Sequence, residues 1–227
     1  HEDVATISVD VSGGSMHRRG YRAQSVDAPM NETVAAAIIR MSGWDGATPL
    51  IDPLCGSGTI LCEALMHATN LPAGLLRAKF GFLRLPDFKS EHWKRELDRD
   101  ATVELLADLR GSDIDPAAVE ATRVNLSRLP GGDDVIVGRK DFFERADMTG
   151  TTIICNPPYG IRLGRSEDMA PWFKRFGDHL KRRCAGSTAY VYFGDRQWLK
   201  SIGLRPEWKK PLKNGGLAGR LAKFVLY

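Results

Sequence analysis

Cysteine is scarce and unpaired in this sequence. Cys55, Cys62, Cys155 and Cys184 are the only four, and none forms a Cys-x-x-Cys pair. That excludes a disulfide-framed scaffold and a zinc ribbon, and it points to reduced thiols of the cytosol. The five histidines are scattered, so no zinc-ligand spacing stands out and no histidine marks itself as a general base. No apolar run reaches membrane length and no signal peptide is visible, so a cytoplasmic protein without a membrane partner is expected. Repeats and low-complexity tracts are missing too. Charge of one sign is in modest excess, with 32 basic against 28 acidic residues and a net charge of +4. This is compatible with nucleic acid but is no strong footprint. The clusters His17-Arg18-Arg19, Lys181-Arg182-Arg183 and Lys209-Lys210 read as solvated faces. The chain opens at His1 rather than methionine, as expected of a fragment of a longer protein.

What remains is enough to build one sizeable core: 227 residues, 43% of them hydrophobic. Period-two alternation predicts a strand over Val4–Val11, and an amphipathic pattern predicts a helix over Pro29–Trp44. Residues 1–45 are expected to pack on a catalytic unit formed by 46–227. There, a strand ending at Asp52 leads through a glycine turn to a helix over Ile60–Ala68. Breakers mark an insertion over Leu71–Phe88, followed by a charged helix over Glu91–Leu109. A strand at Asp113, a helix over Ala117–Leu129 and strands over Val135–Gly138 and Ile153–Cys155 come next. A helix over Ala170–Cys184 and a strand over Thr188–Phe193 lead to a hairpin pairing Glu207–Leu212 with Leu221–Leu226 across Asn214-Gly215-Gly216. The fold class is α/β, a doubly wound, mostly parallel sheet ending in an antiparallel hairpin, with ligands at the carboxyl ends of the strands.

Four strand ends carry chemistry. The first is Asn156-Pro157-Pro158-Tyr159, after the apolar run Thr151–Cys155. Proline cannot donate to a sheet, so the strand stops, and the prolines' fixed φ holds the carbonyls of Asn156 and Pro157 in place. An amide oxygen and a fixed carbonyl are two acceptors, and a planar exocyclic amine has two N–H donors. Tyr159 adds a face on which a base can stack. The plain alternative is a tight turn.

The second is Asp52-Pro53-Leu54-Cys55-Gly56-Ser57-Gly58-Thr59. Its spacing is neither the Gly-x-Gly-x-x-Gly of dinucleotide sites nor a P-loop, since no lysine follows. A helix N-terminus attracts a carboxylate and Asp52 suits an ammonium, so an amino-acid-like ligand fits better than a pyrophosphate. The third is Asp113, at a strand tip before the N-cap Asp115 and Pro116, placed to bind ribose hydroxyls. It lies 61 residues beyond Asp52, against roughly 20 in dinucleotide folds, which requires the insertion. The fourth is Asp141-Phe142-Phe143, a carboxylate and aromatics suited to adenine.

In this order the four motifs resemble Rossmann-like S-adenosylmethionine-dependent methyltransferases, in which Asn-Pro-Pro-Tyr marks amino-group methylation. The stretches Asp10–Gly13, Met16–Arg22, Ala28–Thr33, Pro72–Arg77, Asn156–Gly160 and Leu212–Leu217 are similar, more closely, to the methyltransferase domain of the bacterial THUMP-containing guanine-N2 methyltransferases of large-subunit ribosomal RNA (the RlmL type). The resemblance implies S-adenosyl-L-methionine as cofactor. It places Asp52 and Cys55, Gly56, Ser57 and Gly58 on the methionine part, Asp113 on the ribose, Ile114 on the adenine, and Asp141 with Phe142 on the adenine amine and ring edge. Asn156, Pro157, Pro158 and Tyr159 hold the acceptor amine, with Asn156 also near the cofactor. Arg22 and Glu32 shape the site from the N-terminal segment. The implied partner is large-subunit ribosomal RNA, with RNA affinity that needs an N-terminal THUMP domain not contained here. Two other readings stay open: another acceptor amine (guanine N2 in tRNA, adenine N6 in DNA or RNA, or a protein amide), and a non-catalytic RNA-binding module.

Overall fold

Two short runs, Thr-Ile-Ile-Cys and Thr-Ala-Tyr-Val-Tyr-Phe, are apolar at successive positions rather than alternating, as strands covered on both faces must be. In a computed structural model, which describes residues 5–26, 29–77, 79–97, 104–146, 148–158 and 169–227, they lie at the centre of the sheet. The strands among these residues are β1 (Leu50–Asp52), β2 (Leu109–Asp113), β3 (Ile136–Arg139), β4 (Thr152–Cys155), β5 (Thr188–Phe193), β6 (Trp208–Asn214) and β7 (Leu217–Val225). Their order across the sheet is β3-β2-β1-β4-β5-β7-β6. β1 to β5 pair in parallel, while β7 runs antiparallel between β5 and β6. The doubly wound, mostly parallel sheet with a terminal hairpin is therefore as expected.

Alternate strand residues feed two cores. Leu50, Ile154, Tyr190 and Tyr192 face helices α1 (Glu32–Ser42), α2 (Thr59–Ala68) and α4 (Pro116–Leu126), through Ile38, Leu61, Leu65 and Val119. Ile51, Ile153, Val191 and Phe193 face α5 (Ala170–Arg183), through Phe173, Phe176 and Leu180. Helices thus cover both faces, the arrangement a buried parallel sheet needs. From β1 the chain winds outward through β2 to β3, then returns to place β4 on the other side of β1. The order reverses between β1 and β4, and the crevice beyond their carboxyl ends is where such sheets bind ligands.

Several expectations are corrected. Residues 5–11 form no strand: Ile7 and Val9 are 93% and 72% exposed, and the alternation finds no pairing neighbour among the described residues. The charged helix expected to reach Leu109 is α3 (Ser90–Leu97), and Leu109 instead opens β2, paired with Leu50, because its apolar side chain is claimed by the sheet. The helix expected over Pro29–Trp44 is trimmed at both ends. The Asn31 side chain caps its start by accepting from Thr33 N at 3.0 Å, and Gly43, at φ +73°, ends it. The hairpin strands run up to the turn itself, with Asn214 opposite Leu217.

The N-terminal segment is tied to the insertion. Arg77 donates to the carbonyls of Ser12 and Ser15 at 3.0 Å each, and Phe82 N donates to Val11 O at 3.0 Å. Among the described residues no helix is long and apolar enough to cross a membrane.

Candidate active site

β1 is three residues long and fully buried, so its last side chain, Asp52, reaches the crevice only 1% exposed, with Oδ1 accepting from Leu54 N at 3.2 Å. The chain then turns through Cys55 to Gly58 into α2. Gly58 is at φ +78°, and a Cβ there would sit 2.7 Å from Thr122 Cγ2, so this position requires glycine on both counts. No side chain caps α2, which leaves its first N–H groups for a ligand.

The loop's acceptors are consumed by the protein. Thr122 Oγ1 donates to Gly56 O at 2.7 Å, and Asn125 Nδ2 donates to Ser57 O at 2.9 Å. Asn125 Oδ1 in turn accepts from Ala23 N and Gln24 N at 2.8 and 3.0 Å, so one amide joins the loop to the N-terminal segment. Arg22 is the second link. Its Nη1 donates to Ser57 Oγ at 3.1 Å, Nη2 to Thr59 Oγ1 at 3.0 Å and to Met30 O at 2.9 Å, and Nε to Glu32 Oε1 at 2.9 Å. Thr122 and Asn125 were not singled out in the sequence. Two polar residues three apart on the core-facing side of an amphipathic helix, both fully buried here, are the signal that marks them.

At the tip of β2, Asp113 Oδ2 accepts from Gly56 N at 3.0 Å and Oδ1 from Asp115 N at 3.1 Å. Its carboxylate therefore shapes the glycine turn from the tip of β2. The next side chain, Ile114, is 60% exposed, an apolar surface held open beside it. Beyond β3, Asp141 caps a single 3-10 turn by accepting from Phe143 N at 2.9 Å. The Phe142 ring is 2% exposed, with its centroid 4.7 Å from those of Phe176 and His179. It belongs to the core under the site, so what Phe142 can offer a ligand is main chain.

At the tip of β4, Asn156 and Pro157 are buried and Pro158 is half-buried; Tyr159 lies outside the described residues. Among the described residues Asn156 Oδ1 is buried without a hydrogen-bond partner. It shares one cavity with Asp52, Cys55, Gly56, Ser57 and Met30. An unsatisfied buried amide oxygen costs about 1–3 kcal/mol, a cost that a ligand N–H would remove. Burial, and then the charge of Asp52, push the Cys55 thiol far up, and burial does the same to Cys155. Neither supplies the thiolate that a cysteine nucleophile requires.

A reversed-order parallel sheet with an acidic residue and glycine turn after its first strand, an acid after its second and Asn-Pro-Pro after its fourth defines an S-adenosylmethionine-dependent methyltransferase fold. The chain belongs to the UPF0020 family, the RMKL-like methyltransferase domain, which matches residues 19–223. It is 38% identical over its whole length to the "Putative RNA methyltransferase slr0064" of Synechocystis, of which it spans 60%. It is 36% identical, over 96% of its length, to ribosomal RNA large subunit methyltransferase K/L of Vibrio campbellii, of which it spans 32%. Among solved structures, SMU.472 complexed with SAH superposes with a TM-score of 0.84 at 29% identity, covering 96% of this chain and 57% of that one. S-adenosylmethionine is the cofactor of this domain. The residues present fit it: a buried carboxylate and an uncapped helix start line one cavity.

Proposed function

We propose that this chain transfers a methyl group from S-adenosylmethionine to the exocyclic N2 amine of a guanine in large-subunit ribosomal RNA. The observation that carries the reading is Asn156 Oδ1: a buried acceptor with no partner among the described residues, fixed ahead of two prolines, in the cavity of the glycine loop. Asp52 would take the cofactor's ammonium and the N–H groups opening α2 its carboxylate. Asp113 would hold the ribose, Ile114 would lie on the adenine, and Asp141 with the Phe142 main chain would meet the adenine amine and ring edge.

When bound, the cofactor supplies a methyl group on a sulfonium, already a strong electrophile. The protein's task is to hold the amine in line and exclude water. The guanine amine's lone pair is delocalised into the ring and is a poor nucleophile. Asn156 Oδ1 accepts one of its N–H groups, and the Asn156 or Pro157 carbonyl accepts the other. Both stabilise the positive charge that grows on nitrogen during attack. The nitrogen becomes acidic once methylated, so no strong base is needed. Tyr159, assigned from sequence alone, supplies the stacking face for a base splayed out of its helix.

A planar-amine grip does not by itself separate guanine N2 from adenine N6. RNA is favoured by the names of the relatives, and a cytoplasmic location agrees with the reduced cysteines. The packing of α1 on α2 supports the N-terminal segment as part of the catalytic unit. The test is methyl incorporation into ribosomal RNA, tRNA and duplex DNA, followed by mass spectrometry of the nucleosides. N2-methylguanosine from ribosomal RNA is expected; N6-methyladenine alone would overturn the base assignment. Asn156→Ala is expected to lower turnover by about 10²–10³ with cofactor affinity nearly unchanged. Normal turnover in that variant would reduce Asn-Pro-Pro-Tyr to a turn.

A further inference from the structure

A second depression adjoins the cofactor cavity and shares Pro29 and Met30 with it. It runs between the His17–Arg18 segment on one side and the β6–β7 turn on the other, and Asn214, Gly215 and Leu217 form the far wall. The far wall is fastened to the start of α1. Asn31 N donates to Asn214 Oδ1 at 3.0 Å, across 183 positions of sequence, and the same Asn31 caps α1 with its own side chain. The turn is therefore more than the end of a hairpin: it is held in register with the residues that border the cofactor.

The groove's charge is one-sided. Among the described residues its one carboxylate, Glu32, is already matched by Arg22 at 2.9 Å. Arg18 is exposed, and its guanidinium has no hydrogen bond or ion pair among the described residues. A fastened groove that carries an uncompensated guanidinium and opens beside an unsatisfied amide acceptor suits a polyanion whose nucleotide enters the cavity. Among the described residues no Phe, Tyr or Trp lines it, and the His17 ring is hydrogen-bonded to Ser15 Oγ, so the contact is to the sugar-phosphate backbone.

We infer that this groove is the track for a single-stranded stretch of RNA flanking the target nucleotide, with Arg18 on a phosphate. The inference rests on the proposed RNA methyl transfer and names the path by which that substrate reaches the site.

The test is binding of a labelled single-stranded RNA oligonucleotide to the whole chain over a series of salt concentrations, with polyglutamate as the competing polyanion. One phosphate contact on a single strand changes the slope of log K against log salt by about 0.7. Arg18→Gln is expected to flatten the slope by that amount and Arg18→Lys to keep it, with affinity for S-adenosylhomocysteine the same in both. An unchanged slope in Arg18→Gln, or equal binding of polyglutamate through Arg18, would overturn the track. These outcomes are separable from failure of the transfer reading. Ribosomal RNA methylated by a wild type whose slope ignores Arg18 sinks the track alone. An Arg18-dependent slope in a protein that methylates no nucleic acid sinks the proposed reaction and leaves an RNA-binding groove.

Discussion

Replacing Arg22 by Met should expose how far the glycine loop depends on the N-terminal segment. The side chain is 18% exposed and its partner Glu32 is 9% exposed, so the pair is largely out of water. Met keeps most of the aliphatic volume and removes four hydrogen bonds, to Glu32, Ser57, Thr59 and Met30 O. The two hydroxyls can rotate toward other partners, so their loss is minor. The Glu32 carboxylate cannot, and breaking a buried pair by removing one member costs about 3–5 kcal/mol. We expect about 3 kcal/mol, the low end, because the residual exposure lets some water reach Glu32.

Urea unfolding measures that loss, and calorimetric titration with S-adenosylhomocysteine measures the accompanying loss of affinity as Ser57 and Thr59 lose their anchor. Arg22→Lys should fall between, since an ammonium can match Glu32 but lacks the planar fork that reaches three other acceptors. Adding Glu32→Gln to Arg22→Met should recover part of the stability, with a coupling of about 1–3 kcal/mol. If Arg22→Met unfolds at the wild-type midpoint and binds the cofactor equally well, the latch does no such work. If the double variant is no better than the single, the unpaired carboxylate is not the origin of the loss.

Gly58→Ala should lose about 2 kcal/mol or more, from a left-handed residue and a Cβ 2.7 Å from Thr122 Cγ2; an unchanged melting temperature would mean the loop differs from the one described. Asp113→Ala should weaken S-adenosylhomocysteine binding by about 1–3 kcal/mol, and Asp113→Asn by less, because an amide oxygen can still accept from Gly56 N; equal calorimetric affinities for wild type and Ala would remove Asp113 from the site. His179, whose Nε2 meets Arg145 O at 3.0 Å, is held below its ordinary 6.5 chiefly by burial. The unfolded chain therefore takes up this proton first as pH falls below 6.5, so stability is present above that pH and declines below it. His179→Gln should flatten that decline in a pH series of urea midpoints, and an unaltered pH profile would refute the assignment.

What was legible in the sequence follows from local chemistry. Pro116 after Asp115, the glycines between Cys55 and Thr59, and the two prolines after Asn156 each restrict the backbone at their own position, so strand tips and helix starts could be placed without knowing the fold. Core positions in β4 and β5 were readable because both faces are covered and the residues after the leading Thr152 and Thr188 form unbroken largely apolar runs. The misses have the opposite character. Residues 5–11 alternate as a strand does, but a strand also needs a neighbour, and alternation carries no information about one. Leu109 continued a helical pattern and went to the sheet. The Phe142 aromatic was read as a ligand face because a carboxylate precedes it, whereas α5 had a place for its ring beside Phe176 and His179. Thr122 and Asn125 act on a loop more than 60 residues away, a relation that only the folded chain reveals.

Those long-range contacts bear on the choice of ligand. Around the glycine turn the carbonyls of Gly56 and Ser57 and the hydroxyls of Ser57 and Thr59 are bonded to Thr122, Asn125 and Arg22. The turn therefore meets the cavity with its donors, the uncapped N–H groups of α2, rather than its acceptors. Across the cavity stand acceptors of two kinds, the Asp52 carboxylate and the neutral, unpartnered Asn156 oxygen. Donors on one wall and a carboxylate on the other suit a group that is anionic and cationic within a few bonds, as an amino-acid moiety is, and would repel a pyrophosphate from Asp52. The neutral acceptor suits an uncharged amine, because a second carboxylate at position 156 would be desolvated in the cavity that already holds Asp52 and repelled by it. Asn156→Asp separates these roles: if charge rather than hydrogen-bond capacity limited the grip on the acceptor, it would raise turnover, whereas the arrangement here predicts that it lowers turnover.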